Sequence, residues 1–92
     1  MHILIIEDDK KTAEFIAGAF RQSGYITTLC TDGEEGAAAA LHGEYDAAVI
    51  DIMLPRKDGL SIIRDLRAAG RQLPVKMDDR LIQNPAYSTS RY

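Results

Sequence analysis

Three acids stand where short apolar runs stop. Ile3-Leu4-Ile5-Ile6 runs into Glu7-Asp8, and Tyr45-Asp46-Ala47-Ala48-Val49-Ile50 runs into Asp51. In an open α/β sheet, ligands bind outside the carboxyl ends of the strands, near the switch in strand order. If the first and third strands are neighbours, Glu7, Asp8 and Asp51 converge on one cleft. Carboxylates crowded in this way raise one another's pKa unless a cation neutralises them. The natural cation is Mg²⁺, which takes oxygen ligands, keeps several waters and is commonly held by one or two carboxylates together with a phosphate.

The elements that must position these acids alternate. The β-branched run 3–6 suits a strand buried on both faces. Ala13, Ile16, Ala17 and Phe20 then make a helical stripe closed by Gly24. Residues 25–30 (YITTLC) have strand propensity, and Thr31-Asp32-Gly33 turns into the alanine-rich helix 34–41, ending near Gly43. A third strand delivers Asp51. The loop Leu54-Pro55-Arg56-Lys57-Asp58-Gly59 precedes a helical period at Leu60, Ile63, Leu66 and Arg67, up to Gly70. Three strand-helix units in series imply right-handed crossovers and a parallel sheet covered on both faces. Leu73-Pro74-Val75 begins a fourth strand, but Lys76-Met77-Asp78-Asp79-Arg80 ends the apolar run, and 84–90 is turn-like and polar. The expected organisation is an incomplete unit over 1–75 and a divergent tail over 76–92.

Bulk properties exclude several classes. The 92 residues make one domain at most, and 46% hydrophobic with 27% charged residues is ordinary for a globular chain. A net charge of −3 offers no basic field for nucleic acid or anionic lipid. No apolar run approaches the roughly 20 residues that span a bilayer. One cysteine, Cys30, and no signal peptide point to a reducing, cytoplasmic setting. Cys30 reads as a small buried hydrophobe, His2 and His42 as isolated and exposed, Asp9 as a helix cap, and Asp32 and Asp58 as turn residues. Pro55 and Gly59 are expected to shape the loop over the site, Pro by fixing φ and Gly by permitting positive φ.

The segments ILIIEDD, SGY, DGEEG and DAAVIDIMLPRKDGL resemble those of the receiver domain of two-component response regulators. The EDD and IMLPRKDG wording is similar to the winged-helix (OmpR/PhoB-like) transcription-factor subfamily. The resemblance implies a partial doubly wound, flavodoxin-like or CheY-like parallel sheet and a signalling module rather than an enzyme. It implies that Asp51 accepts a phosphoryl group from a sensor histidine kinase. It implies further that Asp8 ligates Mg²⁺ together with Asp51, that Glu7 acts through a bound water and that Met53 gives its backbone carbonyl; phosphoryl transfer then asks mainly for an in-line nucleophile and a cation to gather the charge. A DNA-binding output domain, not contained in this sequence, is the implied partner.

The sequence departs from the family after Val75. The family's fourth strand ends in a Thr or Ser that bonds the phosphate, and a later strand ends in a Lys that pairs with it. Lys76 and Thr89 are only nominal substitutes, and 77–80 is faintly similar to the start of the family's fourth helix. Missing strands would leave the third strand with an open edge. The edge is open to cover by the tail, by a second copy through dimerisation or strand exchange, or by nothing at all. Two other readings stand beside the receiver: a truncated or frame-shifted, non-switching product that keeps the acidic metal pocket, and a small α/β interaction protein associating through that edge.

Overall fold

The computed structural model describes residues 1–78. The order is β1 (His2–Ile6), α1 (Lys10–Gln22), β2 (Ile26–Cys30), α2 (Gly33–His42), β3 (Ala47–Asp51), α3 (Gly59–Ala68) and β4 (Val75–Asp78). All four strands are parallel, in the order β2-β1-β3-β4. The expected partial doubly wound sheet is therefore present, with three strand-helix units and a short fourth strand.

Alternation along each strand divides the core between two faces. Leu4, Ile6, Ala48 and Ile50 pack with Ala37 and Ala40 of α2 and with Ile62 and Leu66 of α3. Ile3, Ile5 and Val49 pack on the other face with Ala17, Ile16 and Phe20 of α1. The inward line of α3 runs through Ile62 and Leu66, while Ile63 is only half-buried. Leu60, Ile62 and Ile63 are all apolar, so composition alone does not choose between adjacent faces.

Each helix starts on an aspartate whose carboxylate accepts a backbone N–H, satisfying an otherwise orphaned donor. Asp9 accepts from Thr12, Asp32 from Glu35 and Asp58 from Ser61, at 3.0, 2.7 and 2.8 Å. Asp32 and Asp58 are thus caps as well as turn residues. Arg71 closes the far end of α2, donating to the carbonyls of Leu41 at 3.0 Å and Gly43 at 2.7 Å.

Two expectations about the end of the described chain are corrected. β3 has no open edge from Ala48 to Asp51, because Ala48, Val49, Ile50 and Asp51 register with Val75, Lys76, Met77 and Asp78. Met77 and Asp78 belong to this strand and not to a helix start. Its apolar run is broken because Val75 and Met77 join the well-covered face, whereas Lys76 points to the face that carries α1. An edge strand buried mainly on one face alternates instead of reading as a continuous apolar run. His2 is also not isolated: its Nε2 lies 2.6 Å from Thr28 Oγ1, and its ring meets Tyr45 edge-on at 4.6 Å. Cys30 is buried, and burial pushes its thiol up to about 11. No helix among the described residues is long and apolar enough to cross a membrane.

Candidate functional site

Parallel pairing of β1 with β3 puts Ile6 opposite Ile50. The residues that follow, Glu7 and Asp51, therefore arrive level at the carboxyl end of the sheet. One carboxylate oxygen from each of Glu7, Asp8 and Asp51 lies within 4.8 Å of the others. Glu7 and Asp51 are 2% and 7% exposed, whereas Asp8 opens to solvent. The Glu7 N–H extends the ladder to β2 by donating to the Cys30 carbonyl at 3.0 Å, and its carboxylate accepts the Asp9 N–H at 3.0 Å. The Met53 N–H donates to Asp51 Oδ1 at 3.3 Å, and the Met53 side chain is exposed.

The electrostatics follow from this crowding. Burial is the main force pushing the Glu7 carboxyl up to about 7; the Asp9 N–H opposes it, and the charge and hydrogen bonding of Asp51, then Asp8, add to it. Three carboxylates with no nitrogen or sulfur among them form an oxygen-only donor set, which suits a hard divalent cation. One exposed member gives such an ion a route in.

The β3–α3 loop is fixed from two sides. Gly59 donates its N–H to the Ile52 carbonyl at 2.9 Å, and a Cβ at this position would sit 2.3 Å from the Asp51 carbonyl oxygen. Gly59 is required by close approach, not by positive φ as expected from sequence; the positive-φ glycines are Gly24 and Gly70. Within the loop the left-handed residue is Arg56, at φ 73°, in a turn closed by the Lys57 N–H and the Pro55 carbonyl at 2.8 Å. Gly33 of α2 donates to the same Pro55 carbonyl at 3.0 Å, and Arg56 lies 3.8 Å from Asp32 and 3.6 Å from Glu34.

A cleft beside the acids is lined by Asp8, Met53, Leu54, Pro55, Leu60 and Arg64, among others. Arg64 drew no assignment from sequence, although its spacing from Leu60 places both on one side of α3. Lys76 is not at the site: it registers with Val49 and lines an apolar hollow with Ile16 and Phe20. Thr89 lies outside the described residues. β4 ends at Asp78, in register with Asp51, where the resemblance implies Thr or Ser.

The family model described as response regulator receiver domain matches residues 3–78. Transcriptional regulatory protein DltR of Streptococcus agalactiae is 40% identical over 75 residues, 82% of this chain and 34% of that protein. CusR of Escherichia coli, also named a transcriptional regulatory protein, is 39% identical over 75 residues, 82% of this chain and 33% of its own length. The chain thus spans about a third of these curated relatives. The Francisella response regulator 1452 receiver domain superposes with a TM-score of 0.83 at 38% identity, covering 87% of this chain and 66% of that one. The receiver domain of sensor histidine kinase PA1611 from Pseudomonas aeruginosa superposes at 0.80 with 33% identity, covering 92% and 72%. That domain was solved with a magnesium ion coordinated in its active site cleft.

Proposed function

This chain belongs to the response regulator receiver domain family, and on that premise we propose that Asp51 accepts a phosphoryl group from a sensor histidine kinase. The observation that carries the reading is the convergence of the Glu7, Asp8 and Asp51 oxygens within 4.8 Å at the carboxyl end of a parallel sheet. Mg²⁺ would be held by Asp8, Asp51 and the Met53 carbonyl, with Glu7 acting through a water. Bound there, it would supply the positive charge that gathers the equatorial oxygens of the transferring group.

The chain's own residues do the positioning. The end of β3 presents Asp51, and the Met53 N–H orients its carboxylate. A carboxylate oxygen of Asp51 forms the new bond to phosphorus as the phosphorus–nitrogen bond of the phosphohistidine breaks, and the imidazole leaves with the bonding pair. The buried setting of Asp51 keeps bulk water from that carboxylate. The relatives named as transcriptional regulatory proteins support an output that acts on transcription, for which we propose a winged-helix DNA-binding domain working in the cytoplasm.

The test is incubation of the chain with Mg²⁺ and phosphoramidate. The expected product carries one hydroxylamine-labile phosphate that is absent from Asp51→Asn. Equal labelling of that variant contradicts the assignment.

A further inference from the structure

The acceptor site is acidic, yet its substrate is an anion. Asp8 and Asp58 add negative charge to the cleft beside this site, and among the described residues that line it Arg64 is the only cation. The other cations of the β3–α3 loop, of α3 and of its C-terminal flank are engaged elsewhere. Arg56 lies against Asp32 and Glu34, and Lys57 is 2.6 Å from Asp65. Arg67 and Arg71 donate to backbone carbonyls.

The placement of Arg64 is set by α3. The first residue of this helix, Gly59, abuts the Asp51 carbonyl. Leu60, Ser61 and Arg64 share one side of the helix and all line the cleft. Long side chains on a helix tend to lean back toward its N-terminus, and the Arg64 charge acts on Asp58, the N-cap of α3. That charge is among the smaller causes holding the Asp58 carboxyl low, after the Ser61 N–H.

We propose that Arg64 binds the phosphoryl dianion of the incoming phosphodonor and orients it in the cleft beside Asp8 before transfer to Asp51. A planar, permanently charged fork suits bidentate contact with phosphate oxygens. This inference rests on the acceptor role of Asp51. With acetyl phosphate as donor, the bond from phosphorus to the acyl oxygen breaks as the Asp51 oxygen bonds to phosphorus, and acetate leaves with the bonding pair.

The experiment is the initial rate of phosphorylation against acetyl phosphate concentration, with Mg²⁺ fixed and saturating. Arg64→Ala should raise the half-saturating concentration by about tenfold, the scale of one charge-assisted hydrogen bond, without lowering the saturating rate. Arg64→Lys should recover part of the loss, and added salt should weaken donor saturation more in the wild type than in Arg64→Ala. Arg64 is exposed, so the urea midpoint of the variant should match the wild type. A labelled wild type with an identical Arg64→Ala profile overturns this inference alone. So does a variant that loses stability and saturating rate together, which marks a structural role. A wild type that takes no label overturns the acceptor role and this inference with it.

Discussion

A Cβ on residue 59 would stand 2.3 Å from the carbonyl oxygen of Asp51, so Gly59 sets how closely α3 can start behind β3. Both partners are backbone, and no side chain can swing aside to make room. Gly59→Ala should therefore cost about 1–3 kcal/mol, the usual scale of overpacking. Gly33→Ala should be comparably disruptive, because its Cβ would lie 1.7 Å from the Lys57 carbonyl oxygen. Gly18→Ala is the control: nothing lies within 4 Å, and a mid-helix alanine should stabilise by about 0.5–1 kcal/mol. Urea unfolding of the three variants checks the order.

The buried Glu7 makes metal-free stability fall as pH rises. Its carboxyl is pushed from 4.5 to about 7 in the folded chain, chiefly by burial. The native state then binds more protons than the unfolded state between these values, and stability declines with pH wherever that holds. The contribution of Glu7 is fully present below 4.5 and is lost as pH climbs through about 7. Thermal melts across this window in a chelator should show the decline, and Glu7→Gln should flatten it. An equal slope in that variant would assign the effect to other groups.

Added Mg²⁺ should oppose the same decline. A ligand that binds only the folded state adds about 1.4 kcal/mol at ten times its dissociation constant. The wild type should gain melting temperature with Mg²⁺ at pH above the Glu7 transition, while Asp8→Asn and Asp51→Asn should gain little. A full gain in both variants would place the ion elsewhere.

Arg71 ties the end of α3 to the end of α2 through the Leu41 and Gly43 carbonyls. Its removal leaves part-buried carbonyls without these charged donors, so Arg71→Ala should cost about 1–3 kcal/mol. Arg71→Lys should recover little, since one ammonium does not reproduce the fork. Chemical denaturation of both variants measures the difference.

The parts of the fold that could be read from residues are those where composition and geometry coincide. Ile3–Ile6 and Ala47–Ile50 are apolar because both faces are covered, and each run ends at the acids of the candidate site. Asp9, predicted as a cap, accepts the N–H and the hydroxyl of Thr12. β4 was harder, because Lys76 interrupts the apolar signal on the strand that borders β3. Arg64 was missed for another reason: helical spacing reveals which residues share a side, but not that this side faces a cleft shared with Asp8. The requirement for Gly59 depends on how far α3 stands from β3, a distance no local pattern encodes.

The central claim is that Asp51, at the end of β3 and beside Glu7 and Asp8, is the residue that becomes phosphorylated. The most direct measurement is borohydride trapping after exposure to phosphoramidate and Mg²⁺, followed by peptide mass spectrometry. Reduction converts an aspartyl phosphate to homoserine, so position 51 should carry homoserine only in the phosphorylated sample. Homoserine at another aspartate, or unmodified Asp51 in a chain that has taken up phosphate, would contradict the account.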